Sequence, residues 1–414
     1  MWKRMCAAAL VLATAHGMAL AREAGQERAQ EPRGTLVAIG GALRGDNAEV
    51  WERIVRLAGG KGASIAVFPT AAGNPERSAR ITSAHLERYG ARPFVVPVGA
   101  GLGTTPAQAA DDPALAARVL KAGGAFFTGG DQGRITAALV RADGSRSRVL
   151  DALWTLYRGG GVIAGTSAGA AMMSSTMFYE APPVLPMLKA GVREGRDIAP
   201  GLGFAGPELF IDQHLLIPGR FARMLPAMLA KDYRLGLGID ENTAVVLGPG
   251  RMAQVIGYKG ALLLDLSAAS TDRTRPEFNL SNARISYLDS GDRIDFGGNR
   301  LLPGSDKERL DPARPAFRGP LFYPDILANT MVVDLLEKLA DSDQPGATGL
   351  AFGGPASVEP DKGFEFVFRR VPETEAYVSN RAEAYSVYRM RLDVRPVLVR
   401  QPLYQPQPGF EQRP

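Results

Sequence analysis

Between residues 35 and 170 the chain repeats one pattern: a short, wholly apolar run followed by a stretch with apolar residues at helical spacing. Thr35-Leu36-Val37-Ala38-Ile39 runs into Gly40-Gly41, and Val50, Ile54 and Leu57 then recur on one helical face. Ser64-Ile65-Ala66-Val67-Phe68 is a second run, followed by a helix over 76–89. A third strand lies between Pro93 and Pro97, with a helix over 115–122 after it. Ala125-Phe126-Phe127 leads to Gly129-Gly130, and a helix over 149–157 leads to Val162-Ile163-Ala164. Runs that are apolar throughout, rather than alternating, read as strands buried on both faces. Strands alternating with helices predict an α/β fold: a doubly wound, mostly parallel sheet flanked by helices. Ligands gather at the carboxyl ends of such strands. The glycine-rich loops at 40–41, 129–133 and 165–169 therefore mark a candidate site.

The third of these loops carries the chemistry. Val162-Ile163-Ala164 enters Gly165-Thr166-Ser167-Ala168-Gly169 and leaves through Ala170-Ala171-Met172-Met173. A sharp strand-to-helix turn of this composition holds a serine on a strained backbone with its oxygen exposed above the sheet. Ser167 is the candidate nucleophile. The amide of Ala168, with that of Gly129 or Gly130, is placed to receive an oxyanion.

A nucleophilic serine needs a base. Beyond residue 21 the chain has two histidines, His85 and His214. His85 falls in a polar helical stretch and reads as a surface residue. His214 closes Leu209-Phe210-Ile211-Asp212-Gln213-His214, an apolar strand with a polar end, and is the candidate base. The orienting carboxylate is open among Glu180, Glu194, Asp197, Asp240 and Glu241, because spacing does not choose between them. Nothing in the sequence implies a metal or a cofactor.

Four segments in this order resemble one family: Gly129-Gly130-Asp131-Gln132, the serine elbow, Asp212-Gln213-His214, and Gly238-Ile239-Asp240-Glu241-Asn242-Thr243-Ala244. Together they look like the cyanophycinases, serine peptidases related to the aspartyl dipeptidases, over residues 34–270. The resemblance implies a fold like that of class I glutamine amidotransferases. It also implies a Ser-His-Glu triad on Ser167, His214 and Glu241. It implies a polymeric or short aspartyl-peptide substrate, cyanophycin itself being polyaspartate with arginine on each side-chain carboxyl. By the same resemblance Gln132 and Gln213 are substrate-contacting positions, and Arg220 and Arg223 lie in a stretch similar to the family's substrate-binding one. Asp212 either positions the His214 strand or holds a substrate guanidinium. For Gln132, Asp212 and Gln213 the other reading is a plain loop or strand-end hydrogen bond. Arg220 and Arg223 are the candidate carboxylate-binding cations. The spacing of Arg220 and Arg223 puts them on one face of a helix. Their other reading is an ordinary basic surface. Cyanophycinases carry a further arginine two positions before Arg220, where this chain has Pro218. A lost charge-assisted contact is worth about 1.5–3 kcal/mol, more than tenfold in affinity. An exopeptidase for aspartyl or isoaspartyl peptides, and a non-catalytic binding protein on this fold, are the alternatives.

The remainder is read from composition. Lys3 and Arg4, the apolar stretch 7–13 and Ala19-Leu20-Ala21 form an export signal over 1–21, so the mature protein is expected to be secreted or periplasmic. Residues 22–33 are a polar tether. The only cysteine, Cys6, lies in the signal, which leaves no disulfide and no thiolate. Lys3 and Arg4 carry two of the five net positive charges, and the rest are scattered, which argues against nucleic acid. No later stretch has the roughly 20 apolar residues of a membrane span. Residues 271–399 are expected to form an α+β extension packed on the same domain, with a hairpin turning at 289–292, a long loop over 297–320 and a helix over 326–339. Its expected role is to cap the site, to extend the sheet or to form a homodimer contact. Residues 400–414 read as a flexible tail.

Overall fold

The computed structural model describes residues 32–382, 384–400 and 402–403. The expected export signal (1–21), the expected tether (22–33) except its last two residues, and most of the expected tail (400–414) lie outside them.

The first strands form as their patterns require. β1 (Thr35–Ile39) leads through α1 (Ala48–Leu57) to β2 (Ser64–Phe68), and α2 (Pro75–Arg88) leads to β3 (Arg92–Val95). α3 (Pro106–Ala110) and α4 (Pro113–Leu120) precede β4 (Gly124–Phe127), and α5 (Gln132–Leu139) and α6 (Arg148–Gly159) precede β5 (Val162–Thr166). These strands lie in the order β1-β5-β4-β2-β3 and all run parallel. A helical crossover returns the chain to its starting edge, so parallel pairing follows. Along β1, Leu36 and Ala38 enter one core with Leu150 and Leu153 of α6. Val37 and Ile39 enter another with Val50 and Ile54 of α1. Helices thus cover both faces of this half.

The chain then runs through α7 (Ala168–Ala171), β6 (Thr176–Phe178), α8 (Val184–Ala190), β7 (Ile198–Pro200), β8 (Leu209–Gln213), α9 (Arg220–Ala230) and β9 (Leu235–Ile239). β10 (Thr243–Leu247), β11 (Met252–Gly257), β12 (Ala261–Asp265), β13 (Leu280–Leu288), β14 (Arg293–Asp295), β15 (Arg300–Leu302), β16 (Lys307–Arg309) and β17 (Leu321–Tyr323) follow. The last elements are α10 (Met331–Ala340), β18 (Gly346–Phe352), β19 (Lys362–Arg369), β20 (Glu375–Ser379) and β21 (Tyr385–Leu398).

"Mostly parallel" describes only the first half. β10, β11, β14 and β15 extend the sheet beyond β1 in antiparallel pairs, and a second sheet runs β17-β18-β19-β21-β13-β12-β9-β8. In that sheet β8–β9 and β17–β18 are parallel and the other pairs antiparallel. Short connections such as 248–251 between β10 and β11, a single 3-10 turn over Pro249–Arg251 that is too brief for a crossover, leave only antiparallel pairing open. The boundary expected at residue 270 falls between paired strands β12 and β13, so the second sheet continues across it.

Two local expectations are corrected. The turn 289–292 joins β13 in one sheet to β14 in the other, so it is not a hairpin. Asp292 holds it: its buried carboxylate accepts from Asp289 N–H at 3.1 Å, Gly304 N–H at 2.9 Å and the buried Lys307 ammonium at 2.6 Å. The helix expected from 326 starts at Met331, because Thr330 stands at φ +64°, a left-handed backbone that a right-handed helix cannot pass through; Ile326 N–H bonds Leu350 O at 2.8 Å. Within 297–320, β15 and β16 are short strands rather than loop.

On α10, burial first, then Asp334 and Asp289, push the Glu337 carboxyl up to about 7. The folded state binds that proton more tightly than the unfolded chain, whose value is near 4.5. The associated stability is therefore complete below that value and is lost as pH rises through the folded value. Glu337→Gln is expected to raise Tm by a few degrees at pH 8 and to leave it unchanged at pH 4. Equal shifts at both pH values in thermal unfolding would contradict this assignment.

Candidate active site

The site assembles on the end of β1. Three consecutive carbonyls there each take one backbone N–H: Ile39 O from Ser167 at 2.9 Å, Gly40 O from His214 at 2.8 Å, and Gly41 O from Asn242 at 2.8 Å. One short loop thereby ties the serine elbow of the first sheet to the ends of β8 and β9 in the second. β8 and β9 are parallel neighbours, with Gln213 opposite Ile239. His214 and Glu241 consequently leave the same edge side by side.

Ser167 stands between β5 and α7 at φ 54°, ψ −113°. A non-glycine residue at positive φ is strained unless its surroundings fix it. Here the bond to Ile39 O, and the bonds from Ala170 and Ala171 N–H to Ser167 O at 2.8 and 3.0 Å, fix it from both sides. The side chains then meet. Ser167 Oγ lies 2.9 Å from His214 Nε2, and His214 Nδ1 lies 2.6 Å from Glu241 Oε1. The imidazole is 20% exposed and the Glu241 carboxylate 36%, so substrate can reach the group without its being free in water.

Geometry thus decides among the five carboxylates. Glu180 is exposed, Glu194 pairs with Lys231, and the buried Asp197 is forked by Arg193. Asp240 lies buried behind the site. Its Oδ1 accepts Glu241 N–H at 2.7 Å and its Oδ2 lies 3.3 Å from Lys259 Nζ. Burial, only partly offset by Lys259, pushes the Asp240 carboxyl up. His85 is not a plain surface residue: it packs on Trp51 at 5.3 Å and against Gly45.

The loop at 40–41 was legible as a site loop, but its role was not. Gly41 has φ +114°, and a Cβ there would lie 2.3 Å from His214 Cε1 and 2.5 Å from Nε2. Only a glycine leaves room for the ring. Gly41→Ala is expected to cut kcat/KM at least about 10²-fold, because displacements near 1 Å are that costly. Kinetics on a folded Gly41→Ala protein check this; retention of full kcat/KM would contradict it.

Gly129 borders the nucleophile, since a Cβ built on it would lie 3.3 Å from Ser167 Cβ. Among the described residues, the amides of Gly129, Gly130 and Ala168 make no internal hydrogen bond. All three remain available as donors beside the serine.

The five expected substrate positions divide. Gln132 opens α5 and donates from Nε2 to Phe178 O at 2.6 Å. Gln213 is buried, and its Oε1 and backbone O both accept from Arg220 Nη1 at 2.9 Å. Arg220 is half-buried with no carboxylate at ion-pair distance among the described residues. Burial first, then Arg223, pull its guanidinium below the ordinary value. A carboxylate arriving there would relieve that cost. Arg223 and Asp212 differ: Arg223 Nε and Nη2 meet the two Asp212 oxygens at 2.8 and 2.7 Å, both side chains are buried, and the guanidinium lies 4.1 Å over the Phe178 ring. The expected shared face of Arg220 and Arg223 is thus split, because Asp212 takes one of the two. Asp212 and Arg223 spend their charges on each other rather than facing a substrate.

Comparison with known proteins gives the same neighbourhood. Residues 36–254 match peptidase family S51. The chain is 31% identical over 279 residues to the cyanophycinase of Geminocystis herdmanii, covering 66% of this chain and 97% of that one. It is 29% identical over 271 residues to the cyanophycinase of Thermosynechococcus vestitus, covering 63% and 78%. Among solved structures, a peptidase from an acI-B1 Actinobacterium aligns with a TM-score of 0.47 at 21% identity, covering 64% and 98%.

Proposed function

The chain belongs to peptidase family S51 and is a cyanophycinase-like peptidase, and we propose that it is a secreted serine exopeptidase for aspartyl peptides, with cyanophycin as its polymeric substrate. The observation that carries the mechanism is the relay Ser167 Oγ–His214 Nε2 at 2.9 Å and His214 Nδ1–Glu241 Oε1 at 2.6 Å. Its parallel half, helix-covered on both faces, is the part we relate to the doubly wound, glutamine amidotransferase-like pattern.

In this reading Ser167 Oγ attacks the scissile carbonyl carbon as its proton passes to His214 Nε2. Glu241 holds the imidazole by Nδ1 and stabilises its cation. The new oxyanion takes hydrogen bonds from the amides of Ala168 and of Gly129 or Gly130, donors of a kind worth about 10²–10³ in rate. The C–N bond breaks as His214 returns the proton to the leaving amine. Water, deprotonated by the same imidazole, then attacks the ester carbonyl and frees Ser167 with the acid product. With cyanophycin the product is β-aspartyl-arginine.

A second reading has specific support. Pro218 replaces an expected arginine, and Arg223 is closed by Asp212, which leaves Arg220 as the carboxylate receptor among the described residues of this turn. That set suits short aspartyl or isoaspartyl dipeptides. Purified protein assayed on cyanophycin, an α-aspartyl dipeptide and a β-aspartyl dipeptide separates the readings. Release of β-aspartyl-arginine is the expected result. Turnover of the dipeptides alone transfers the assignment to them, and failure of a fluorophosphonate to label Ser167 rejects both. Residues 1–21 support export to the periplasm or beyond, which cell fractionation tests.

A further inference from the structure

The last third of the chain lies beyond the family match at 36–254, yet it reaches the substrate side of the site. Gly219, the residue before Arg220, has φ +64°, and a Cβ there would lie 2.8 Å from Leu327 Cδ2 and 2.9 Å from Leu327 Cβ. We propose that Leu327 is a positioning residue: it seats the turn into α9 and so aims Arg220 at a carboxylate of the substrate. This rests on the reading of Arg220 as the carboxylate receptor.

The contact is one link in a rigid line. Ile326 is fully buried, its N–H bonds Leu350 O at 2.8 Å, and its side chain fills the space over Gly349. Leu327 N–H bonds Asp325 Oδ1 at 3.1 Å. Leu327 is thereby held on β18 and presented to Gly219. From there the turn is stitched back to the base: Arg220 N–H bonds Ile217 O at 3.2 Å, and Ile217 N–H bonds His214 O at 3.1 Å. Phe221, next on α9, packs on Phe366 of β19 at 5.8 Å between ring centroids.

Gly219 has no side chain to anchor its own turn and occupies a region of backbone space that few residues share. The Leu327 side chain does that anchoring from outside. A guanidinium fork reads a carboxylate only within narrow limits of angle and distance. Slack at Gly219 is expected to cost affinity for the carboxylate and little else, since Ser167, His214 and Glu241 hang on β1, β8 and β9.

The test measures protection of Ser167 from a fluorophosphonate by β-aspartyl-arginine, compared with the same dipeptide as its dicarboxamide. The parent, Leu327→Ala, Leu327→Met, Arg220→Ala and the double variant Arg220→Ala/Leu327→Ala are compared. Leu327→Ala is expected to weaken protection by the acid about tenfold, the low end of what one charge-assisted contact contributes. Protection by the carboxamide and the unprotected labelling rate stay unchanged, Leu327→Met restores the parent behaviour, and the double variant is no weaker than Arg220→Ala. Gly219→Ala, which crowds the same contact from the other side, must reproduce the acid-specific loss. Equal losses for acid and carboxamide, or full additivity in the double variant, overturn the proposal. Absence of labelling in the parent instead removes the serine-peptidase reading on which it stands.

Discussion

Ser167→Ala is expected to lower kcat/KM on every substrate of this protein by about 10⁴–10⁶-fold, with Tm moving by no more than a few degrees. The size follows from the geometry. Ser167 Oγ is the atom that forms the acyl bond, and among the described residues no cysteine or second serine bonds His214 in its place. The residual rate would come from the amides of Gly129, Gly130 and Ala168, which remain. The small effect on folding follows as well. Ser167 is held through its backbone, by Ile39 O and by the first turn of α7, and not through its hydroxyl. Among the described residues the hydroxyl bonds His214 Nε2 alone, and the imidazole is exposed enough for water to replace it. Steady-state kinetics and thermal unfolding on one preparation check both halves. Turnover within tenfold of the parent would sink the nucleophile assignment; loss of fold would mean that the strained elbow depends on the hydroxyl.

The parts of this arrangement that could be read from the residues are those set by local pattern. The buried strands with helical crossovers predicted the parallel half, and their glycine-rich ends located β1, β4 and β5 around one site. Ser167 stood out because strand, elbow and helix are contiguous. His214 stood out because the alternative imidazole falls mid-helix. The orienting carboxylate was not separable in this way. Glu241 and Asp240 are neighbours in the same turn, and only the register of β8 against β9 aims one at His214 and the other at Lys259. The turn 289–292 has the composition of a hairpin, and local pattern does not say that β11 outcompetes β13 as the partner of β14. The apolar spacing of α10 continues back to Ile326, but the left-handed backbone at Thr330 ends the helix before it reaches that residue. The order of the motifs is read directly from the chain, whereas the contact of Leu327 with Gly219 exists only in the folded protein.

Arg223 carries the other large expectation, and it concerns stability. By motif it is a substrate arginine; in the fold it is the counter-ion of Asp212, two residues before His214. Asp212 is 1% exposed, and both its oxygens are taken by the Arg223 fork, one of them shared with Gln213 N–H at 2.9 Å. Arg223→Leu would leave that carboxylate buried with one backbone donor. Breaking such a pair from one side costs about 3–5 kcal/mol, which for a chain of this length corresponds to a fall in Tm of roughly five degrees. Removing both partners is much cheaper, because no charge is then stranded, so Asp212→Leu/Arg223→Leu is expected to recover most of the loss. Activity should fall in both variants, since β8 sets the height of His214 and the Arg223 guanidinium supports Phe178, whose carbonyl anchors Gln132. A substrate-reading arginine predicts the opposite pattern: KM rises and Tm stays put. Denaturant and thermal unfolding of the two variants beside the parent therefore decide what Arg223 does. An Arg223→Leu protein of parental stability and raised KM would return Arg223 to the substrate side of the site.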